Sequence, residues 1–147
     1  MKKILIVDDN PDIVELMQIK VKSVLKDFDI IIDTAVNGMS ARSKIQRTAY
    51  YDLILMDMKM PIMTGPEILL SCYNQYPYVK RVSIIVTGYD KQYVENNKFL
   101  NIIDMYNFEE KIPVFHKQEI FNSGYKKERN DFNEEIKKRV MSKVLVA

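Results

Sequence analysis

Five side chains far apart in this chain have types that could work together. Asp57 closes the run Leu53-Ile54-Leu55-Met56, which is too short for a helix and suits a strand buried on both faces. Asp8 and Asp9 follow a similar run, Ile4 to Val7, while Thr87 ends the run Val82 to Val86 and Lys117 follows Ile112 to His116. If these runs are parallel strands of one sheet, their carboxyl ends lie on one side and the five residues can converge. Three carboxylates packed together repel one another and raise a pKa unless a cation intervenes. Two remedies are visible: a Mg²⁺ ion, which takes a few carboxylates with carbonyls and waters, and the compact charge of Lys117. Asp57 is then an available nucleophile, Thr87 offers a hydroxyl, and Mg²⁺ with Lys117 can neutralise phosphoryl oxygens. Such a set would take a phosphoryl group on Asp57 as an aspartyl phosphate. The single histidine, His116, falls inside a predicted strand, and no glycine-rich loop points to nucleotide as donor.

The elements that must position these groups alternate. A first strand, Lys3–Val7, is followed by Asn10-Pro11, an N-cap residue with proline at the first helical position. Ile13, Leu16, Met17, Val21 and Val24 recur at helical intervals, predicting a helix over residues 11–26. A second strand lies within Asp29–Ala35, and after the turn Asn37-Gly38 a second helix carries Ala41, Ile45 and Ala49 on one face. Beyond Asp57, Pro61 breaks the chain and Thr64-x-x-Glu67 has the spacing of a capping box, opening a helix that Pro77 stops near Tyr76. A strand at residues 82–86 precedes a helix capped by Asp90, with Tyr93, Leu100 and Ile103 on one face. Residues 112–116 form a short fifth strand. No element is assigned between Lys117 and Asn130, with a break at Ser123-Gly124, and Phe132, Ile136, Val140 and Val144 mark a final helix over about 131–145. Five alternations predict an α/β fold with a parallel sheet covered by helices on both faces.

Composition sets the outer bounds. At 147 residues the chain is expected to be one domain, 1–147, with an atypical segment at 88–130. A hydrophobic fraction of 47% and a charged fraction of 29% fit a globular protein. No apolar run approaches the ~20 residues needed to cross a bilayer, and the N-terminus is too brief for a secretory signal. The single cysteine, Cys72, rules out an internal disulfide and a cysteine-rich zinc site and is expected to be a packed residue. The compartment expected is the cytoplasm. The net charge of +2 gives no case for nucleic acid; residues 124–147 carry seven basic and four acidic side chains, read as a solvated helix face. The nine tyrosines and nine methionines are read as core and surface filler.

The pattern resembles the receiver domain of two-component response regulators, the family of the single-domain chemotaxis regulator. The matching residues are I-L-I-V-D-D-N (4–10), N-G (37–38), L-I-L-M-D-M-K-M-P-I-M-T-G-P-E (53–67), S-I-I-V-T-G (83–88) and V-F-H-K (114–117). The resemblance implies a flavodoxin-like doubly wound sheet with strand order 2-1-3-4-5. It makes Asp57 the phosphoacceptor, with Asp9, assisted by Asp8, and the backbone carbonyl of Lys59 holding Mg²⁺ beside it. It has Thr87 swing toward the phosphoryl group and Lys117 pair with it. The donor would be a phosphohistidine on a sensor histidine kinase or histidine phosphotransfer protein, and the domain would dephosphorylate itself. A homodimer is an open possibility. No direct contact with nucleic acid or membrane is expected.

Some positions depart from the family's pattern. Thr87 and Lys117 are 30 residues apart, a longer interval than usual, and the Gly-Ala usual before strand five is missing. Gln118 replaces the proline that usually follows the lysine. The aromatic switch position, three before Lys117, is Val114; the adjacent Phe115 should face the other side of the sheet. Gly88 stands where alanine is common, leaving access to the site open. Two other functions compete. A phosphatase with an aspartyl-phosphate intermediate commonly has an acid two residues after its nucleophile, where this chain has Lys59. A receiver-like interaction module that is never phosphorylated would need no intact acidic set. Lys111, a rival to Lys117, precedes Pro113 and the strand, so it should lie at the wrong end of the sheet.

Overall fold

The computed structural model describes residues 1–48, 50–89, 91–105 and 111–142. The strands are β1 (Lys2–Val7), β2 (Ile30–Ala35), β3 (Leu53–Asp57), β4 (Ser83–Thr87) and β5 (Val114–His116). They form one parallel sheet in the order β2-β1-β3-β4-β5. The order reverses between β1 and β3, the point at the carboxyl ends of the strands where open α/β sheets generally bind ligands.

The helices are α1 (Pro11–Val24), α2 (Gly38–Arg47), α3 (Gly65–Tyr73), α4 (Tyr78–Val82), α5 (Lys91–Glu95), α6 (Lys98–Met105), α7 (Lys117–Phe121) and α8 (Lys126–Met141). They cover both sheet faces, which explains why the central strands read as unbroken apolar runs. Leu5, Val7, Ile54, Met56 and Ile85 face a core shared with α2, α3 and α6 through Ala41, Ile45, Leu69, Cys72 and Ile103. Their strand neighbours Ile4, Ile6, Leu53, Leu55 and Ile84 face the other core, with Met17 and Val21 of α1 and Phe132, Ile136 and Val140 of α8.

Local chemistry explains several boundaries. The side chain of Asn10 caps α1 by accepting from the Asp12 N–H at 3.0 Å, and Asn37 caps α2 by accepting from Ser40 at 2.8 Å. Thr64 and Glu67 form the expected reciprocal capping box at the start of α3.

Other expectations need correction. α1 ends at Val24 rather than 26, and Leu16 is exposed while Val14 takes the buried position. α3 stops at Tyr73; Pro77 then begins the short α4, and β4 starts at Ser83 rather than Val82. The single helix expected around Tyr93 to Ile103 is two helices, because the Asn97 side chain accepts from the Leu100 N–H at 2.9 Å and starts a new one. β5 begins at Val114 rather than Ile112, and Lys117 opens α7 rather than closing the strand. The stretch assigned no element holds α7 and the first turn of α8, which starts at Lys126 instead of 131. The expected capping by Asp90, the place of Ala49 on α2, and Val144 with the end of the last helix lie outside the described residues.

Candidate functional site

The acidic cluster forms where β1 and β3 end side by side. Val7 pairs in register with Met56, so the residues that follow, Asp8 and Asp57, emerge together at the sheet's reversal point. Asp8, Asp9 and Asp57 each bring a carboxylate oxygen to within 4.8 Å of the other two. Asp8 and Asp57 are 3% and 5% exposed, whereas Asp9 faces solvent. Asp8 is held by the backbone N–H of Asn10, which donates to Oδ1 at 2.9 Å and ties the carboxylate to the start of α1.

Lys117 enters from the far edge, its ammonium 2.8 Å from Asp8 Oδ2 and 3.2 Å from Asp57 Oδ1. Lys111, by contrast, stands ahead of β5, so Lys117 is the lysine that reaches the acids. Burial pushes the Asp57 carboxyl up to about 7, with the Asp8 charge adding to the rise and Lys117 opposing it. Burial alone would lower the Lys117 ammonium, but its contacts with Asp8 and Asp57 outweigh this and raise it. The cluster thus holds more negative charge than one ammonium neutralises.

The donor set suits Mg²⁺. Opposite ligands of an octahedral ion at about 2.0–2.1 Å are a little over 4 Å apart, which oxygens within 4.8 Å of one another can meet with little movement. The exposed side of Asp9 leaves room for the waters such an ion keeps.

Thr87 is fully buried at the end of β4, one residue beyond Val86, the register partner of Asp57. Its hydroxyl accepts from the Tyr89 N–H at 2.9 Å. Lys59 lies two residues beyond Asp57 and is exposed, with its ammonium 5.2 Å from the centre of the Tyr89 ring. Asp8, Asp9, Asp57 and Lys117 therefore come together as expected, while Thr87 keeps a local partner and the Lys59 side chain points to an aromatic pair.

The loop from Asp57 to α3 shows two features the sequence did not announce. Gly65 is wedged against the strand end: a Cβ there would lie 2.0 Å from the Asp57 carbonyl oxygen and 2.7 Å from Met56 Cγ. Its N–H donates to the Met58 carbonyl at 3.0 Å, so α3 is pinned against the residue beside Asp57. Ile62, 94% exposed, has a φ of 75°, a left-handed conformation that strains a β-branched residue. Elsewhere, the expected face change in β5 is clear. Val114 packs on the α3 side, and the Phe115 ring meets Phe132 edge-on, centroids 5.1 Å apart, on the α8 side.

Comparison with known proteins places this geometry. The family model for the response regulator receiver domain matches residues 4–106. A hybrid signal transduction histidine kinase of Dictyostelium discoideum is 45% identical over 67 residues, 45% of this chain and 3% of that protein. A response regulator receiver protein of Anaeromyxobacter sp. (strain Fw109-5) is 36% identical over 69 residues, 47% of this chain and 27% of that protein. The chain thus spans a small part of the curated relatives it matches. Among solved structures, a CheY-like receiver domain from Methanospirillum hungatei JF-1 superposes with a TM-score of 0.63 at 24% identity, covering 95% of this chain and 96% of that one. The response regulator TrrA of Thermotoga maritima, solved in complex with Mg²⁺-BeF, gives 0.59 at 28% identity over 90% of this chain and 99% of that one. With the family pattern running from β1 into α6 on a sheet of order 2-1-3-4-5, the chain belongs to the response regulator receiver domains of two-component signalling.

Proposed function

We propose that this receiver domain accepts a phosphoryl group onto Asp57 from a phosphohistidine, in a Mg²⁺-dependent reaction, and acts as a signalling switch or a relay intermediate. The donor in this reading is a sensor histidine kinase or a histidine phosphotransfer protein, and the output is a protein contact or onward transfer. The observation that carries it is the buried Asp57 carboxylate with Asp8 and Asp9 close enough to share one small cation and the Lys117 ammonium beside it. The Mg²⁺-BeF complex of the Thermotoga relative supports the same ligand chemistry.

The chain's own residues have separate tasks. An Asp57 carboxylate oxygen forms the bond to phosphorus as the donor's P–N bond breaks; the imidazole nitrogen keeps the electron pair and is protonated from solvent. Lys117 Nζ, already beside Asp57 Oδ1, neutralises a phosphoryl oxygen. Thr87 turns its hydroxyl from the Tyr89 N–H toward another. Asp8, Asp9, Asp57 and the Lys59 carbonyl would hold Mg²⁺, which supplies charge neutralisation and lets Asp57 ionise despite burial. Water later attacks phosphorus, and cleavage of the Asp57 O–P bond releases inorganic phosphate.

The test is intact-mass measurement after incubation with Mg²⁺ and a small acyl phosphate, beside Asp57→Asn. One added phosphoryl group in the wild type and none in the variant supports the reading. The absence of any adduct across a range of Mg²⁺ concentrations would instead favour an interaction module that is never phosphorylated.

A further inference from the structure

Lys59 poses an electrostatic problem for the acidic cluster. It is two residues beyond Asp57, and a lysine carries its charge on a flexible four-carbon stem. Three nearby carboxylates, of which Lys117 pairs with Asp8 and Asp57, should attract that charge, and an ammonium among them would compete with Mg²⁺. Yet among the described residues Lys59 makes no ion pair with the carboxylates. Its Nζ lies 5.2 Å from the centre of the Tyr89 ring and 5.9 Å from that of Tyr93. The two rings are themselves stacked, with centroids 4.5 Å apart and planes 27° from parallel.

The stack is anchored on both sides. Tyr89 is tied to the end of β4 by its N–H bond to the Thr87 hydroxyl. Tyr93 is carried by α5, one helical turn further on. Ring faces are negative and attract a cation, most effectively when it lies within about 6 Å of the centroid. Both distances meet that condition, so the segments that follow the paired strands β3 and β4 are joined again, beyond the sheet, through one ammonium.

We propose that Tyr89 and Tyr93 are positioning residues for the metal site. They hold the Lys59 ammonium away from Asp8, Asp9 and Asp57, which leaves those carboxylates to the metal. This inference rests on the Mg²⁺ reading above. It assigns a role to tyrosines that neither bind the metal nor touch the phosphoryl group.

Calorimetric titration with Mg²⁺ of the full chain tests it. Tyr89→Leu with Tyr93→Leu should weaken Mg²⁺ binding about three- to fivefold, the loss expected for an exposed cation–ring contact. Tyr89→Phe with Tyr93→Phe should bind as the wild type does, because the ring face and not the hydroxyl holds the cation. Adding Lys59→Met to the leucine pair should restore affinity, since the competing charge is gone. Unchanged affinity in the leucine pair, or no recovery on adding Lys59→Met, overturns the proposal while leaving the metal reading intact. A wild-type protein that does not bind Mg²⁺ overturns both.

Discussion

The two sides of the sheet's carboxyl edge are built on different terms. At β1 and β3 the elements are regular, the caps are satisfied, and Gly65 allows α3 to press on the backbone of Asp57. From β4 onward the chain uses short helices, a three-residue β5 and an aromatic pair turned to the opposite face from the usual switch position. Under the proposed function, the difference follows from what each side would have to do. Acceptor chemistry needs carboxylates and a cation placed within a fraction of an ångström, so backbone and side chains there have little freedom. Reporting the state of the site needs an element with two arrangements, and many surfaces can supply one.

The largest effect expected on the acceptor side is a pH dependence. Burial holds the folded Asp57 carboxyl near 7, above the ordinary carboxylate value of 3.8. A raised pKa contributes stability that is complete below the unfolded value and is lost as pH rises through about 7. Without metal, the wild type should therefore lose stability relative to Asp57→Asn between about pH 4 and pH 8. About three units at ~1.4 kcal/mol each bounds the change near 4 kcal/mol. Urea unfolding across that range checks it, and Mg²⁺ should recover more stability at pH 8 than at pH 5. Parallel profiles for the two proteins would mean that Asp57 is not the strained acid.

Next in size is Gly65→Ala. The new Cβ would overlap the Asp57 carbonyl, so α3 must move, at a cost of about 3 kcal/mol. A shift in the urea midpoint measures this, and Mg²⁺ affinity should fall with it because the strand end is displaced. A smaller effect belongs to the other side. Phe115→Leu removes the edge-on contact with Phe132 and should cost about 1 kcal/mol. Phosphoryl incorporation should be unchanged in that variant; a large loss would show that the two sides are not separable in this way.

What could be read from the sequence divides along the same line. β1, β3 and their helices are announced by short-range signals: unbroken apolar runs, Asn-Pro at the start of α1, and Thr-x-x-Glu at the start of α3. The acids and Lys117 then follow from strand ends brought together by parallel topology. The split between α5 and α6 was hidden because Leu100 and Ile103 keep a helical spacing from Tyr93 while Asn97 restarts the helix beneath it. The early start of α8 was hidden because its first turn, Lys126 to Arg129, is charged and the apolar spacing begins at Phe132. Tyr89 and Tyr93 are four residues apart, a readable helical interval, but their contact with Lys59 joins segments 30 residues away and needs the fold to appear.

Everything proposed for this domain depends on Asp57 being where the phosphoryl group goes. Peptide mapping by tandem mass spectrometry after treatment with Mg²⁺ and a small acyl phosphate answers this directly. The predicted result is a single phosphoryl group on the peptide containing Asp57, lost when the metal is chelated. A group mapped to another residue, or equal labelling without metal, would contradict it.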